Sequence, residues 1–123
     1  MKILILEDNP LRIEKFKILF KNQDTCFCKT VDEAQLACME NILTPFQAMW
    51  LDHDLNGKIW EDSFVEQTGY QFVKWLVDNG FQKNSLNYIH SMNPVGASLM
   101  LNYLIDNGRD GIWIPFHLLK LEA

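Results

Sequence analysis

The sequence predicts an α/β fold built on a parallel sheet, and three observations predict it. Short apolar runs alternate along the chain with longer segments of helical spacing, the pattern of successive βα units. The runs "KILIL" and "AMWL" are continuously apolar, which suits strands buried on both faces of a sheet. Each helical segment also carries a capping residue at its start or a glycine just past its end.

Lys2 to Leu6 forms the first strand and runs straight into Glu7 and Asp8. In "NPLRIEKFKILF", Asn9 is placed to cap the next helix and Pro10 to open it, because a proline in the first turn removes an N–H that has no partner there. Leu11, Phe16, Leu19 and Phe20 are expected to share its buried face. "TCFCKT" is the second strand, and Thr30 and Glu33 have capping-box spacing at the head of the helix "TVDEAQLACMENI". "FQAMWLD" supplies the third strand, and "TGYQFVKWLVDNG" the third helix, closed by Gly80. "LNYIHS" is the fourth strand, "NPVGASLMLNYLIDNG" the fourth helix closed by Gly108, and "GIWI" the fifth strand. "PFHLLKLEA" is read as a short last helix. Between the third strand and its helix, "NGKIWEDSFVEQT" (56–68) has no periodic pattern. Loops of that length are uncommon in compact domains, so it is expected either to cover the acidic run before it or to be a plain surface insertion.

Five strands in 123 residues are too few and too short for a (β/α)8 barrel, and no internal repeat or linker breaks the chain. The expected architecture is a single domain over 1–123, a flavodoxin-like three-layer fold with a five-stranded parallel sheet in the order 2-1-3-4-5. With 48% hydrophobic and 22% charged residues the composition is that of a globular domain and excludes disorder. No apolar run approaches the roughly 18 residues of a membrane helix. The opening "MKILILEDN" meets acids after a short apolar run, so it reads as a strand and not as a signal peptide. A net charge of −5 argues against a broad basic surface for duplex DNA but leaves room for one nucleotide or a nucleic-acid end in a local site. Cys26 and Cys28 lie two apart in a strand and point the same way, and neither a second Cys pair nor a nearby His completes a zinc set with Cys38. The three are expected to be free thiols, which suits a reducing cytoplasm.

In open parallel sheets ligands bind beyond the carboxyl ends of the strands. The first strand ends in Glu7-Asp8, the third in Asp52-His53-Asp54, the fourth in His90-Ser91, and the fifth runs into Pro115-Phe116. Clustered carboxylates raise one another's pKa unless a cation joins them. Oxygen ligands favour Mg²⁺ or a similar divalent ion, which often bridges to a phosphate. Glu7, Asp8 and Asp52 are therefore the expected metal ligands; the bland alternative is that Asp8 and Asn9 only cap the first helix while Asp52 pairs with a lysine. His53 and His90 are suited to general acid or base work near neutral pH, or else to holding loops by hydrogen bonds. His117, in the tail, reads as structural. In "HSMNPVG", Asn93 and Pro94 make an ordinary helix start, yet free N–H groups there beside Ser91 also form an anion cradle. Gly96 would let backbone approach a ligand, so Ser91, Asn93 and Gly96 are the expected phosphate-binding residues.

These residues resemble, over nearly the whole chain, the receiver domain of two-component response regulators. "ILILEDNP" resembles the receiver's first strand and acidic pair, and "CKTVDEA" its second strand and helix start. "AMWLD" places Asp52 at the phospho-accepting aspartate, Ser91 falls at the receiver Ser/Thr, and Pro115-Phe116 resembles the receiver "KPF". Two departures stand out: Ile114 replaces the receiver lysine that contacts the phosphate, and the loop after Asp52 is longer than receivers usually have. "LDHDL", Gly69-Tyr70, "HS.NP.G" and Met100 together resemble a divergent branch, the cyclic-phosphate processing receiver-like domains. What that resemblance implies is action on cyclic phosphates, at nucleotide or RNA ends, instead of phosphate relay from a kinase.

Three functions are thus in competition. The first is a metal-assisted phosphoesterase-like enzyme: Glu7, Asp8 and Asp52 hold Mg²⁺, Asp54 is a ligand or base, His53 or His90 moves protons, and Ser91 and Asn93 hold phosphate oxygens. The second is a switch in which Asp52 accepts a phosphoryl group and Ser91 responds. The third is a pseudo-receiver that only binds a partner.

Overall fold

Strand pairing here is set by apolar runs that must be buried on both sides, and the observed elements follow from it. The computed structural model describes residues 1–55 and 67–119. In chain order the elements are β1 (Lys2–Leu6), α1 (Pro10–Leu19), β2 (Asp24–Cys28), α2 (Val31–Glu40), β3 (Ala48–Leu51), α3 (Gly69–Asp78), β4 (Leu86–Ile89), α4 (Pro94–Asp106), β5 (Gly111–Trp113) and a single 3-10 turn at Phe116–Leu118. All neighbouring strands are parallel, in the order β2-β1-β3-β4-β5, as expected. The chain moves outward from β1 to β2 and then crosses back to β3, so the sheet's switch point lies between β1 and β3.

Alternate residues serve opposite faces. Leu4, Leu6, Met49, Leu51 and Ile89 pack with α2, α3 and α4 in the larger core. Ile3, Ile5, Ala48 and Trp50 pack with Phe16 of α1 in the smaller one. The α1 face differs from expectation at one end: Ile13 and Phe16 are its buried residues, while Leu11 is 76% exposed. Leu11 stands two residues before Ile13, which places it across the 3.6-residue turn from the sheet.

The helix ends behave as their residues dictate. Asn9 accepts from the N–H groups of Leu11 and Arg12 at 2.9 and 3.3 Å, and Thr30 from that of Glu33 at 3.1 Å. The return bond of Glu33 goes to the N–H of Lys29 at 3.1 Å, one residue upstream of the usual capping box. Gly80 and Gly108 close α3 and α4 at φ +70° and +76°. All three cysteines are free, with the Cys26 and Cys28 sulfurs 3.9 Å apart on one side of β2. The tail's short helix is the 3-10 turn, and the segment expected to cover the acidic run (56–66 of it) lies outside the described residues. No helix among the described residues is long and apolar enough to cross a membrane.

Register is what delivers the site. Leu6 pairs with Cys28 and Leu51, Leu51 with Ile89, and Ile89 with Trp113. The strands therefore stop level, and the row just past them is Glu7, Asp52, His90 and Ile114. Each is pinned by its own N–H: Glu7 to the Cys28 carbonyl at 2.9 Å, Asp52 to Leu6 at 3.1 Å, His90 to Leu51 at 3.0 Å, and Ile114 to Ile89 at 2.8 Å.

Candidate functional site

Glu7 is buried at the end of β1. One carboxylate oxygen accepts from the N–H groups of Asp8 and Asn9 at 3.0 and 3.1 Å, and the other meets His90 Nε2 at 3.0 Å. Burial works against its charge, but His90, the Asn9 amide and Arg12 outweigh that and hold Glu7 below the usual carboxylate range. His90 is fully buried, and this desolvation prevails over the attraction of Glu7, so its pKa falls below the ordinary imidazole value. Its Nε2 faces Glu7, and its Nδ1 has no hydrogen-bond partner among the described residues. Phe16 packs edge-on against this ring at 4.9 Å.

Asp52 is the opposite case. One oxygen accepts from the His53 N–H at 2.8 Å, while the other lies 3.8 Å from Arg12 Nη1. Burial first, and the charge of Glu7 second, push its carboxyl well above the usual range, with the His53 amide and Arg12 pulling weakly the other way. Glu7, Asp52 and His90 each bring a donor atom to a common point, all within 4.8 Å of one another. This set fits a divalent cation: two buried carboxylates and an imidazole are suitable donors, and a cation would relieve the repulsion that raises Asp52. Of the expected ligands, Glu7 and Asp52 come together and His90 joins them, whereas Asp8 is half-buried and outside that group.

A second cluster ties the loops after β3 and β4 together. His53 is buried, and its Nδ1 lies 2.8 Å from Asp54 Oδ1. A carboxylate only accepts, so Nδ1 carries the proton. Asn93 donates to the same Asp54 oxygen at 3.2 Å and accepts from the Gly96 N–H at 3.1 Å as the N-cap of α4. A β-carbon at Gly96 would overlap the His53 ring, so the space the glycine leaves is filled by imidazole. Ser91 is buried, its Oγ accepting from the Asn93 N–H at 3.0 Å and its carbonyl from Trp113 Nε1 at 2.8 Å. The β4 residue level with Asp52 is thus His90, and Ser91 stands one step beyond. His117 is exposed in the 3-10 turn, clear of both clusters.

Sequence reasoning passed over Arg12. Its Nη1 lies 3.6 Å from Glu7 and 3.8 Å from Asp52, and its guanidinium sits 5.0 Å from the centre of the Phe116 ring. The available signal was a cation in the first turn of α1, where the helix dipole favours acids. Tertiary carboxylates override that preference.

No curated relative matches the chain in sequence. Among solved structures, a sensor protein from Polaromonas sp. JS666 is similar at TM-score 0.68 and 18% identity, covering 95% of this chain and 87% of that one. A two-component response regulator of the LuxR family from Aurantimonas sp. SI85-9A1 is similar at 0.64 and 16%, covering 93% and 72%. A response regulator from Burkholderia pseudomallei, solved with a phosphorylated aspartic acid, calcium ion and citrate, is similar at 0.61 and 14%, covering 91% and 58%. At these identities the likeness establishes the receiver fold. The sequence profile of one family matches residues 2–106, which include Glu7, Asp52, His53, Asp54, His90, Ser91, Asn93 and Gly96. The chain belongs to the cyclic-phosphate processing receiver domain family.

Proposed function

We propose that this domain is a metal-assisted phosphoesterase that opens cyclic phosphates on nucleotides or at RNA ends. The observation that carries the reading is the meeting of Glu7, Asp52 and His90 within 4.8 Å, joined through the Asp52–His53 chain link to a hydrogen-bonded His53–Asp54 pair. Glu7, Asp52 and His90 would hold the divalent cation, Mg²⁺ being the first choice, which when bound polarises a phosphoryl oxygen.

Hydrolysis forms one bond from water oxygen to phosphorus and breaks one ring P–O bond, while a proton travels from the water to the departing sugar oxygen. Asp54 is suited to carry that proton, since it follows the acid cluster directly in the chain and 15% of its side chain reaches solvent. His53 Nδ1–H and the Asn93 amide hold the ionised carboxylate in place, and the proton it accepts goes back to the sugar oxygen. Ser91 fixes the turn that aims Asn93, and the α4 start from Asn93 to Gly96 adds the positive end of a helix dipole for the phosphate. The test is incubation with Mg²⁺ and 2′,3′-cyclic nucleotides or cyclic-phosphate-ended RNA, followed by ³¹P NMR. Phosphomonoester should appear, and should vanish in Asp54→Asn; folded protein that turns over none of these substrates overturns the reading.

A second reading has one observation in its favour: Asp52 occupies the row where a phosphoryl-accepting aspartate would lie, and the Burkholderia structure carries a phosphorylated aspartic acid. Acetyl phosphate and intact-mass measurement separate the two. A stable single phosphate adduct that is lost in Asp52→Asn favours the switch.

A further inference from the structure

A phosphate entering this site meets buried carboxylates of its own sign, so a cation supplied by the chain would favour its binding alongside any metal. Among the described residues, Arg12 is the arginine or lysine that lies within 4.0 Å of a site carboxylate. At 3.6 and 3.8 Å its nitrogens are too far from Glu7 and Asp52 for charge-assisted hydrogen bonds, which run to about 2.9 Å. Its one hydrogen bond among the described residues is a weak contact from Nη2 to the Met92 sulfur at 3.7 Å. A guanidinium has five N–H donors, so this one is nearly unspent.

It is nevertheless held. The Phe116 ring lies 5.0 Å from the guanidinium carbon, and that ring is itself anchored on Phe16 at 5.5 Å. Phe16 packs on His90, which bonds Glu7. Arg12 is thus an oriented cation with open donors, 26% exposed, at the edge of the carboxylate pair.

We propose that Arg12 is the phosphate-binding residue of the site, its planar fork taking the two non-bridging oxygens of a phosphodiester. The proposal rests on the reading that the site accepts phosphates. It also answers the apolar Ile114 at the end of the same row: the cation is brought from α1 instead of from the strand-end position. Because a fork and a point charge differ, lysine is a poor substitute here.

The test uses the whole chain with Mg²⁺ and two probes that are not turned over, inorganic phosphate and dimethyl phosphate, with affinities read by ³¹P NMR titration. Arg12→Met should weaken both at least tenfold, and Arg12→Lys should recover inorganic phosphate better than the diester. Mn²⁺ affinity, read by electron paramagnetic resonance, should hold or rise in Arg12→Met, which shows that the acid cluster is intact. Affinities within twofold of wild type in Arg12→Met overturn the proposal, as does a wild type that binds neither probe. If wild type hydrolyses no cyclic phosphate yet binds both probes through Arg12, the hydrolase reading falls and this one stands. If Arg12→Met hydrolyses and binds as wild type does, the reverse holds.

Discussion

At Asp52, burial and the neighbouring Glu7 act in the same direction, and both make an ionised carboxylate unfavourable. Replacing it by the neutral isostere asparagine should stabilise the metal-free protein by about 1 kcal/mol, because a carboxylate that burial and Glu7 disfavour more than the His53 amide and Arg12 favour it is removed at constant shape. The same change should abolish any rise in stability with Mg²⁺ or Mn²⁺. Urea denaturation of both forms, with and without metal, checks this; a metal-free Asp52→Asn less stable than wild type counts against the electrostatic account. Cys38 illustrates burial as the leading cause. Its thiol is pushed to about 12, chiefly by desolvation. The unfolded thiol ionises near 9.0, so the folded form keeps its proton while the unfolded one loses it. That contribution to stability is whole below pH 9.0 and is lost as pH rises toward about 12. Iodoacetamide at pH 8 should therefore leave Cys38 unmodified in the native protein and alkylate it in urea, as peptide mass mapping will read.

The start of α3 shows how an element is seated against the site. Thr68 caps it, accepting from the Gln71 N–H at 3.4 Å, and the Gly69 N–H donates to the His53 carbonyl at 2.9 Å. A β-carbon at Gly69 would overlap the Asp52 carbonyl and crowd Met100. Thr68→Ala should cost about 1 kcal/mol and leave Mn²⁺ binding intact. Gly69→Ala should cost about 1–3 kcal/mol and weaken Mn²⁺ binding too, since α3 must move off the end of β3. Equal Mn²⁺ affinity in the two variants would show that this contact does not position Asp52. At the other end of α3, buried Arg109 donates to the carbonyls of Leu76, Phe81 and Gln82 at 3.1, 2.6 and 3.2 Å. Sequence spacing does not show these partners; only the fold brings the three carbonyls, two of which also accept a backbone N–H, to one guanidinium.

Over the whole molecule, the candidate metal ligands come from β1, β3 and β4, so ion binding joins segments distant in sequence. A ligand that binds only the folded state at 100 times its Kd adds about 2.7 kcal/mol. Thermal unfolding of the metal-free protein should accordingly shift upward with Mn²⁺, and the shift should disappear in Asp52→Asn. An unchanged midpoint in wild type at millimolar Mn²⁺ would remove the metal from the account.

Apolar runs, caps and closing glycines are local features, and from them the strands and helices were legible without coordinates; the parallel sheet and its order followed from the fold class that the number and alternation of those elements match. So was the gathering of Glu7, Asp52 and His90 at one rim, because strands of one parallel sheet end on the same side. Distances and solvation were not legible. Whether a carboxylate is ionised, whether Gly96 faces a ligand or the His53 ring, and whether Arg12 leans over the acids depend on packing between remote segments. Those interactions vary steeply with angstrom-scale separations and with the exclusion of water, and only the tertiary structure sets both.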